Sequence, residues 1–207
     1  MAFNVNQFRS QMTGDGARPN LFEVRMNVPG WAKSQGRIDE KFRFMCNTAQ
    51  LPGSTIGVAP VFYFGREVKL AGNRTYPEWT VNVINDEDFV VRNSMERWIA
   101  GINDPVGNIR DPRAANLQTG YGVEASVVQY GKRGNRIKEY YFFGMFPIDI
   151  SPIEVSWAAN DQVEEFSVTF AFQYWTSDDQ GAVSSILGAV DSVTNAVSSV
   201  RNLGGLS

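Results

Sequence analysis

The sequence has no histidine and a single cysteine, Cys46, among its 207 residues. One cysteine cannot close an internal disulfide or supply a four-thiolate zinc site. Without imidazole there is no Ser-His-Asp triad, no Cys-His pair and no histidine metal ligand. Carboxylate and lysine chemistry remain open, but the commonest catalytic machinery is missing. The chain also lacks an apolar run of about 18 residues, which excludes a membrane-spanning helix. It lacks a basic excess. With 19 Lys and Arg against 22 Asp and Glu the net charge is −3, which disfavours tight gripping of phosphates. Its first residues, MAFNVNQFRSQM, show no charged segment leading into an apolar one. The expectation is a protein made and kept in the cytoplasm, without a membrane anchor.

What is present is alternation. Phe22, Val24, Met26 and Val28 alternate with Glu23, Arg25 and Asn27, predicting a strand over 21–28. Phe42, Phe44 and Cys46 predict a second over 41–46, after a polar loop at 31–40. Cys46 then reads as a small apolar core residue. Residues 47–60 read as loop, and 61–70 as a strand bent at Gly65. Arg66–Leu70 and Trp79–Ile84 flank the turn formers of Ala71–Pro77 and read as a hairpin. Asn85-Asp86-Glu87-Asp88 offers helix caps, and Val91, Met95, Trp98 and Ile102 recur at helical spacing over 88–102. Residues 103–122 show no periodicity. Val123–Tyr130 and Arg136–Phe146 predict a hairpin about Gly131–Asn135, with a short edge strand after it, within 148–157. Over 165–175, Phe166, Val168, Phe170, Phe172 and Tyr174 share one face, and Glu165, Ser167, Thr169, Ala171 and Gln173 the other. A short helix is predicted over 3–12. The fold class is mainly β: an antiparallel sandwich or barrel with one flanking helix, occupying 1–176.

From 177 the composition shifts to Ser, Ala, Val and Gly. Val183, Ile186, Val190, Val193, Val197 and Val200 alternate spacings of three and four. This predicts an appended amphipathic helix, 177–207, that needs a surface to lie on. Disorder and a short two-helix coiled coil are the alternatives.

The remaining short motifs carry little chemistry. Gly120-Tyr121-Gly122-Val123-Glu124-Ala125 fits a dinucleotide fingerprint in letters, but precedes a strand instead of joining strand to helix. Asp86, Glu87 and Asp88 read as a helix cap before a cation site, and Asp161, Glu164 and Glu165 as a solvated turn. Lys132, Arg133, Arg136 and Lys138 are either a solvated hairpin tip or a salt-dependent protein contact. Asn73-Arg74-Thr75 is a glycosylation sequon in form alone. No cofactor and no metal are expected.

Four segments together resemble the tail tube proteins of contractile-tailed bacteriophages. They are Gly16–Val24, Cys46–Pro52 with its Thr48-Ala49-Gln50-Leu51-Pro52 core, Ala71–Thr75 with Trp79-Thr80-Val81 and Asn85-Asp86-Glu87, and Glu165–Trp175. The resemblance runs in order over about 15–176. It implies a structural virion protein with no catalytic residues. Six subunits would form a ring with one continuous inner barrel, and rings would stack into a hollow tube that conducts DNA. The implied partners are further copies, the sheath, baseplate and tail-terminator proteins, with tape-measure protein and DNA in the lumen. Glu165, Ser167, Thr169 and Gln173 become candidates for the lumen face, ordinary outer exposure being the alternative. Leu51, Pro52, Gly53, Asn73 and Arg74 become candidates for contacts between subunits or rings. Within the same class stand a baseplate tube initiator and the inner tube of a phage-derived injection machine. A lone β-barrel that binds a ligand is the reading from a different class.

Overall fold

The computed structural model describes residues 4–13 and 16–178. The chain divides into two compact units, Met1–Trp175 and Thr176–Ser207. In the second unit only residues 176–178 are described. The predicted stripe Val183, Ile186, Val190, Val193, Val197 and Val200 lies outside the described residues.

The elements are α1 (Val5–Gln11), β1 (Phe22–Met26), α2 (Ile38–Met45), β2 (Cys46–Ala49), β3 (Thr55–Tyr63), β4 (Arg66–Thr75), β5 (Trp79–Ile84), α3 (Val90–Ile102), β6 (Val123–Tyr130), β7 (Arg136–Ile150), β8 (Glu165–Ala171) and β9 (Tyr174–Ser177). One antiparallel sheet runs β1-β6-β7-β8-β5-β2, with β9 alongside β7. β3 and β4 pair only with each other. The class is thus mainly β. Among the described residues no barrel closes, because β1 and β2 end the strand order without joining.

The core forms where the alternation points. Trp79, Val81 and Val83 of β5 face the same interior as Phe166, Val168 and Phe170 of β8, all buried. Phe142 lies 4.6 Å from Trp79 between ring centroids. Met95 and Trp98 of α3 are fully buried against them. The Trp98 indole donates to the Tyr121 carbonyl at 2.9 Å, and Trp31 donates to Gly120 at 3.1 Å. These two bonds pin a wide turn over Leu117–Tyr121. The 103–122 segment is therefore a tethered connection, including a 3₁₀ turn at Pro112–Ala114.

Several expectations are corrected. The alternation in Phe42-Phe44-Cys46 predicts a strand, but the chain is helical from Ile38. Ile38 and Phe42 stand four apart and are wholly buried, while Phe44 is exposed. Asp39 and Glu40 lie in the first turn, where the helix dipole favours acids. Asp39 also accepts the Val28 N–H at 2.8 Å. The decisive residue, Ile38, falls in the stretch that reads as polar loop, and α2 is a helix beyond the two expected, α1 and α3. Cys46 begins β2 and is half-buried, and its burial pushes the thiol up to about 12. Residues 47–60 hold most of β2 and the first part of β3. β7 continues to Ile150, so no separate edge strand follows, and 151–164 is loop. β8 breaks after Ala171, before β9 begins at Tyr174.

The cap reading holds in part: the N-cap of α3 is Phe89, left-handed and without a side-chain cap bond, and of the acidic residues only Asp88 reaches the helix's first N–H. Asp88 accepts the Val90 N–H at 3.1 Å, Asp86 lies 2.7 Å from Lys41 Nζ, and Asp88 pairs with the same ammonium.

Glu23 ties α2 to the sheet. It accepts from Tyr130 Oη at 2.8 Å and Arg43 Nη2 at 3.0 Å, and pairs with Arg25. Desolvation raises its pKa, but the hydrogen bonds from Arg25, Tyr130 and Arg43 outweigh it and hold the carboxyl below its ordinary value. A depressed carboxylate contributes stability above the unfolded value of about 4.3, lost as pH falls through the folded one. Glu23→Gln is expected to cost about 1–3 kcal/mol at neutral pH. It should also flatten the acid limb of a stability–pH profile measured by urea unfolding. An acid limb unchanged in the variant would remove Glu23 from this role.

Candidate assembly surfaces

The β3–β4 hairpin stands apart from the core. Every residue of both strands is exposed. Residues 61–70 do not make one bent strand: the chain reverses at Phe64-Gly65, with φ of 46° and 78°. Two successive positive φ values are the signature of the tight hairpin turn whose twist matches its strands. The bulky Phe64 accepts an unfavourable conformation there and is 92% exposed. Ala71–Thr75 is likewise not a turn but the end of β4, and β4 does not pair with β5. Gly72 serves a bulge: a Cβ there would lie 3.0 Å from the Gly57 carbonyl oxygen, where the register shifts between Ile56 and Val58. Asn73 and Arg74 lie on this exposed strand.

Register separates the hairpin's two faces. Val61 lies opposite Val68, and Ala59 opposite Leu70. Alternation puts these four on one side, an apolar stripe, with Glu67 and Lys69 on the other. A two-stranded hairpin is marginal in water by itself. Among the described residues nothing buries this stripe, which makes it a candidate protein contact.

At the base of the hairpin the predicted contact residues Leu51, Pro52 and Gly53 form a connecting loop. Trp79 donates to the Gln50 carbonyl at 2.6 Å and Trp175 to the Gly53 carbonyl at 2.9 Å. Leu51 is exposed between these two anchors.

The outer face of the sheet is a second surface. Thr80 pairs with Thr169, their hydroxyls 3.1 Å apart, and Asn82 pairs with both Ser167 and Thr48. Asp149 lies opposite Thr169 on the other side. Glu165 begins the strand, exposed, and accepts from Asn47 at 2.8 Å. Ser167 and Thr169 are half-buried in the isolated subunit. The register thus assembles Glu165, Ser167 and Thr169 into a neutral-to-acidic row. Gln173 is exposed beyond the end of β8, at the break before β9, with its N–H on the Phe143 carbonyl at 3.0 Å.

The open edges of β1 and β2 are the third feature. Each leaves one side of its backbone without a strand partner among the described residues. The Lys132–Lys138 cluster occupies the β6–β7 turn and the start of β7, where Arg136 pairs with the buried Glu139. Among the described residues no group of three or more His, Cys, Asp and Glu could hold a metal. Sequence reasoning missed the exposed stripe of Val61, Val68 and Leu70 because it treated 61–70 as one half-buried strand. The Phe64-Gly65 pair was the available signal.

The family model described as phage tail tube protein matches residues 17–178. The tail tube protein gp19 of Enterobacteria phage T4 is 30% identical over 168 residues, covering 81% of this chain and 95% of that protein. The tail tube protein of Serratia phage KSP90 is 25% identical over 179 residues, covering 84% and 97%. Among solved structures, a chain of the anti-feeding prophage baseplate aligns with a TM-score of 0.56 at 11% identity, covering 78% of this chain and 95% of that one. A chain of the PVC sheath–tube complex in the extended state aligns at 0.52 and 11%, covering 86% and 99%. On the family match and the T4 relative together, the chain belongs to the phage tail tube protein family.

Proposed function

We propose that this protein is the repeating subunit of an inner tail tube. Six copies close a ring and rings stack into a hollow conduit for DNA, inside a sheath that contracts. The observation that carries this reading is the pair of open edges, β1 and β2, ending one sheet, together with an apolar hairpin that has no partner among the described residues. A ring-wide barrel removes open edges, because each edge strand meets a neighbour's. The hairpin stripe then finds its cover on an adjacent copy.

In this reading Glu165, Ser167 and Thr169 face the lumen, together with Thr48, Thr80, Asn82 and Asp149. None of these side chains is basic, so passing DNA forms no ion pairs with the row and is not held. Gln173, Leu51, Pro52, Gly53, Asn73 and Arg74 are assigned to contacts between copies. The protein has no catalytic role, and its place is the virion tail after synthesis in the host. Residues 177–207 are an appended segment beyond the tube body. Sheath, baseplate, terminator and tape-measure proteins are the other partners. A baseplate initiator or an injection-machine tube would use the same fold, and genes for DNA packaging beside this one would favour the phage tail.

Electron microscopy of the purified protein tests the proposal. Six-fold rings and hollow tubes are expected. A persistent monomer at high concentration, with no such protein in tail tubes, would sink it.

A further inference from the structure

The two ends of α3 carry surfaces of opposite charge that the described residues leave uncovered. At its C-terminal end is a cleft of ≈ 590 Å³, with Trp31, Ile109 and Pro112 supplying apolar lining and Arg97, Arg110 and Arg113 the charge. Arg113 is held by Asp111 in a two-pronged pair. The other two are not neutralised. Arg110 stacks 5.0 Å over Tyr121 and donates only to the Ile102 carbonyl, and Arg97 donates only to the Lys33 carbonyl. Among the described residues neither meets a carboxylate. Asp104, also in the cleft, is occupied by the N–H groups of Val106 and Gly107.

At the other end of α3 is the loop 151–164, anchored where Arg92 donates to the Ser151 carbonyl at 3.1 Å and Asn85 to the Glu164 carbonyl at 2.8 Å. The loop contains Glu154, Asp161 and Glu164 and no Lys or Arg. Trp157 at its tip is wholly exposed, as are most of Val155 and Val163. A solvent-exposed tryptophan flanked by valines and carboxylates has the composition of a binding anchor. The 13-residue helix separates loop from cleft by about 20 Å along its axis.

We infer that the 151–164 loop of one subunit docks in the Arg97–Arg110 cleft of a second copy. Trp157 enters against Trp31, Ile109 and Pro112, and the loop's carboxylates meet the guanidinium groups. The occupant is a second copy because charge and apolar content are complementary within one sequence, at opposite ends of one helix. Such a contact is head-to-tail: it closes a ring where its rotation closes and propagates along an axis where it does not, and the inference takes the second course. The inference rests on the tube reading and names which surfaces join ring to ring.

Trp157→Ala tests it, since a side chain free of contacts in the subunit can be removed without disturbing the fold. The expected result, by electron microscopy and sedimentation velocity, is wild-type circular dichroism and intact six-membered rings. Tube assembly should fall at least ten-fold, and Arg110→Ala should behave alike. In wild-type tubes, Ala100→Cys with Ala158→Cys should yield a ladder of multimers with a thiol-to-thiol linker of about 10 Å reach. Cys46, its thiol pushed up by burial, stays out of the reaction. Full-length tubes from Trp157→Ala overturn the inference, and so does the absence of the ladder in intact tubes. Normal tubes that fail only to take up sheath place the loop on the sheath instead, and overturn it too. A wild-type chain that makes neither rings nor tubes removes the tube reading, and this contact with it.

Discussion

Val61→Asp combined with Val68→Asp is expected to abolish ring formation while leaving the subunit folded. The two side chains lie directly opposite each other across β3 and β4, 49% and 46% exposed. Within the subunit, losing such a cross-strand pair costs about 0.2–1 kcal/mol, and two adjacent like charges add a similar amount. The core, built on β5, β7, β8 and α3, does not involve the hairpin. In the proposed assembly the same positions lie under a neighbouring copy. Two unpaired carboxylates buried there cost about 3–5 kcal/mol at each contact, a weakening of more than about 100-fold. Repeated around a ring, that loss leaves monomers. Sedimentation velocity at concentrations where the wild type assembles, with circular dichroism of the same samples, checks both halves. Normal rings from the double variant would mean the stripe stays in solvent, and the hairpin would then lose its assigned role.

Phe170→Ala is expected to have the largest effect on the fold itself. Phe170 is wholly buried, its ring 5.9 Å from Trp79 and 6.4 Å from Trp98. It therefore joins β8, β5 and α3 at one point. Removing a buried phenylalanine costs the transfer free energy plus the cavity left behind, about 3–5 kcal/mol. Domains are stable by about 5–15 kcal/mol in total. The variant should thus sit near its unfolding threshold and fail to assemble for lack of folded subunit. Urea unfolding of the unassembled chain measures this directly. A loss below about 1 kcal/mol would show that the site collapses around the deletion or that the core is centred elsewhere. The contrast with the hairpin variant is diagnostic, since one loses assembly with the fold intact and the other loses the fold first.

The family resemblance was legible from letters, and its marks have physical reasons. Trp79 and Trp175 are marks because their indoles hang the Gln50–Gly53 loop from the sheet. Gly72 is a mark because two strands close on each other at a bulge. The row Glu165, Ser167, Thr169 could be proposed as one face from alternation alone. Its extension through Thr80, Asn82 and Asp149 could not, because register across strands is set by pairings far apart in sequence.

Other elements were not legible, for identifiable reasons. Phe42-Phe44-Cys46 alternates by chance across the end of a helix, and only the contact of Ile38 and Phe42 with the core selects the helical period. The reversal at Phe64-Gly65 hid inside a continuous β-like run, because the favourable twist of its turn outweighs the strain on Phe64. The Phe64-Gly65 pair signals a turn, but nothing local says that the strands it joins are exposed, since buried strands carry Val, Leu and Tyr as well.

By itself the sequence determined the β class, a helix within 88–102, the core faces of β5 and β8, and the absence of imidazole and paired-thiol chemistry. These follow from period and composition, which are local properties. Only the tertiary structure decided that β3 and β4 leave the sheet, that β1 and β2 end it open, and that an arginine cleft and an acidic loop lie at opposite ends of α3. Those depend on which distant segments pack together, and burial is decided there, not along the chain.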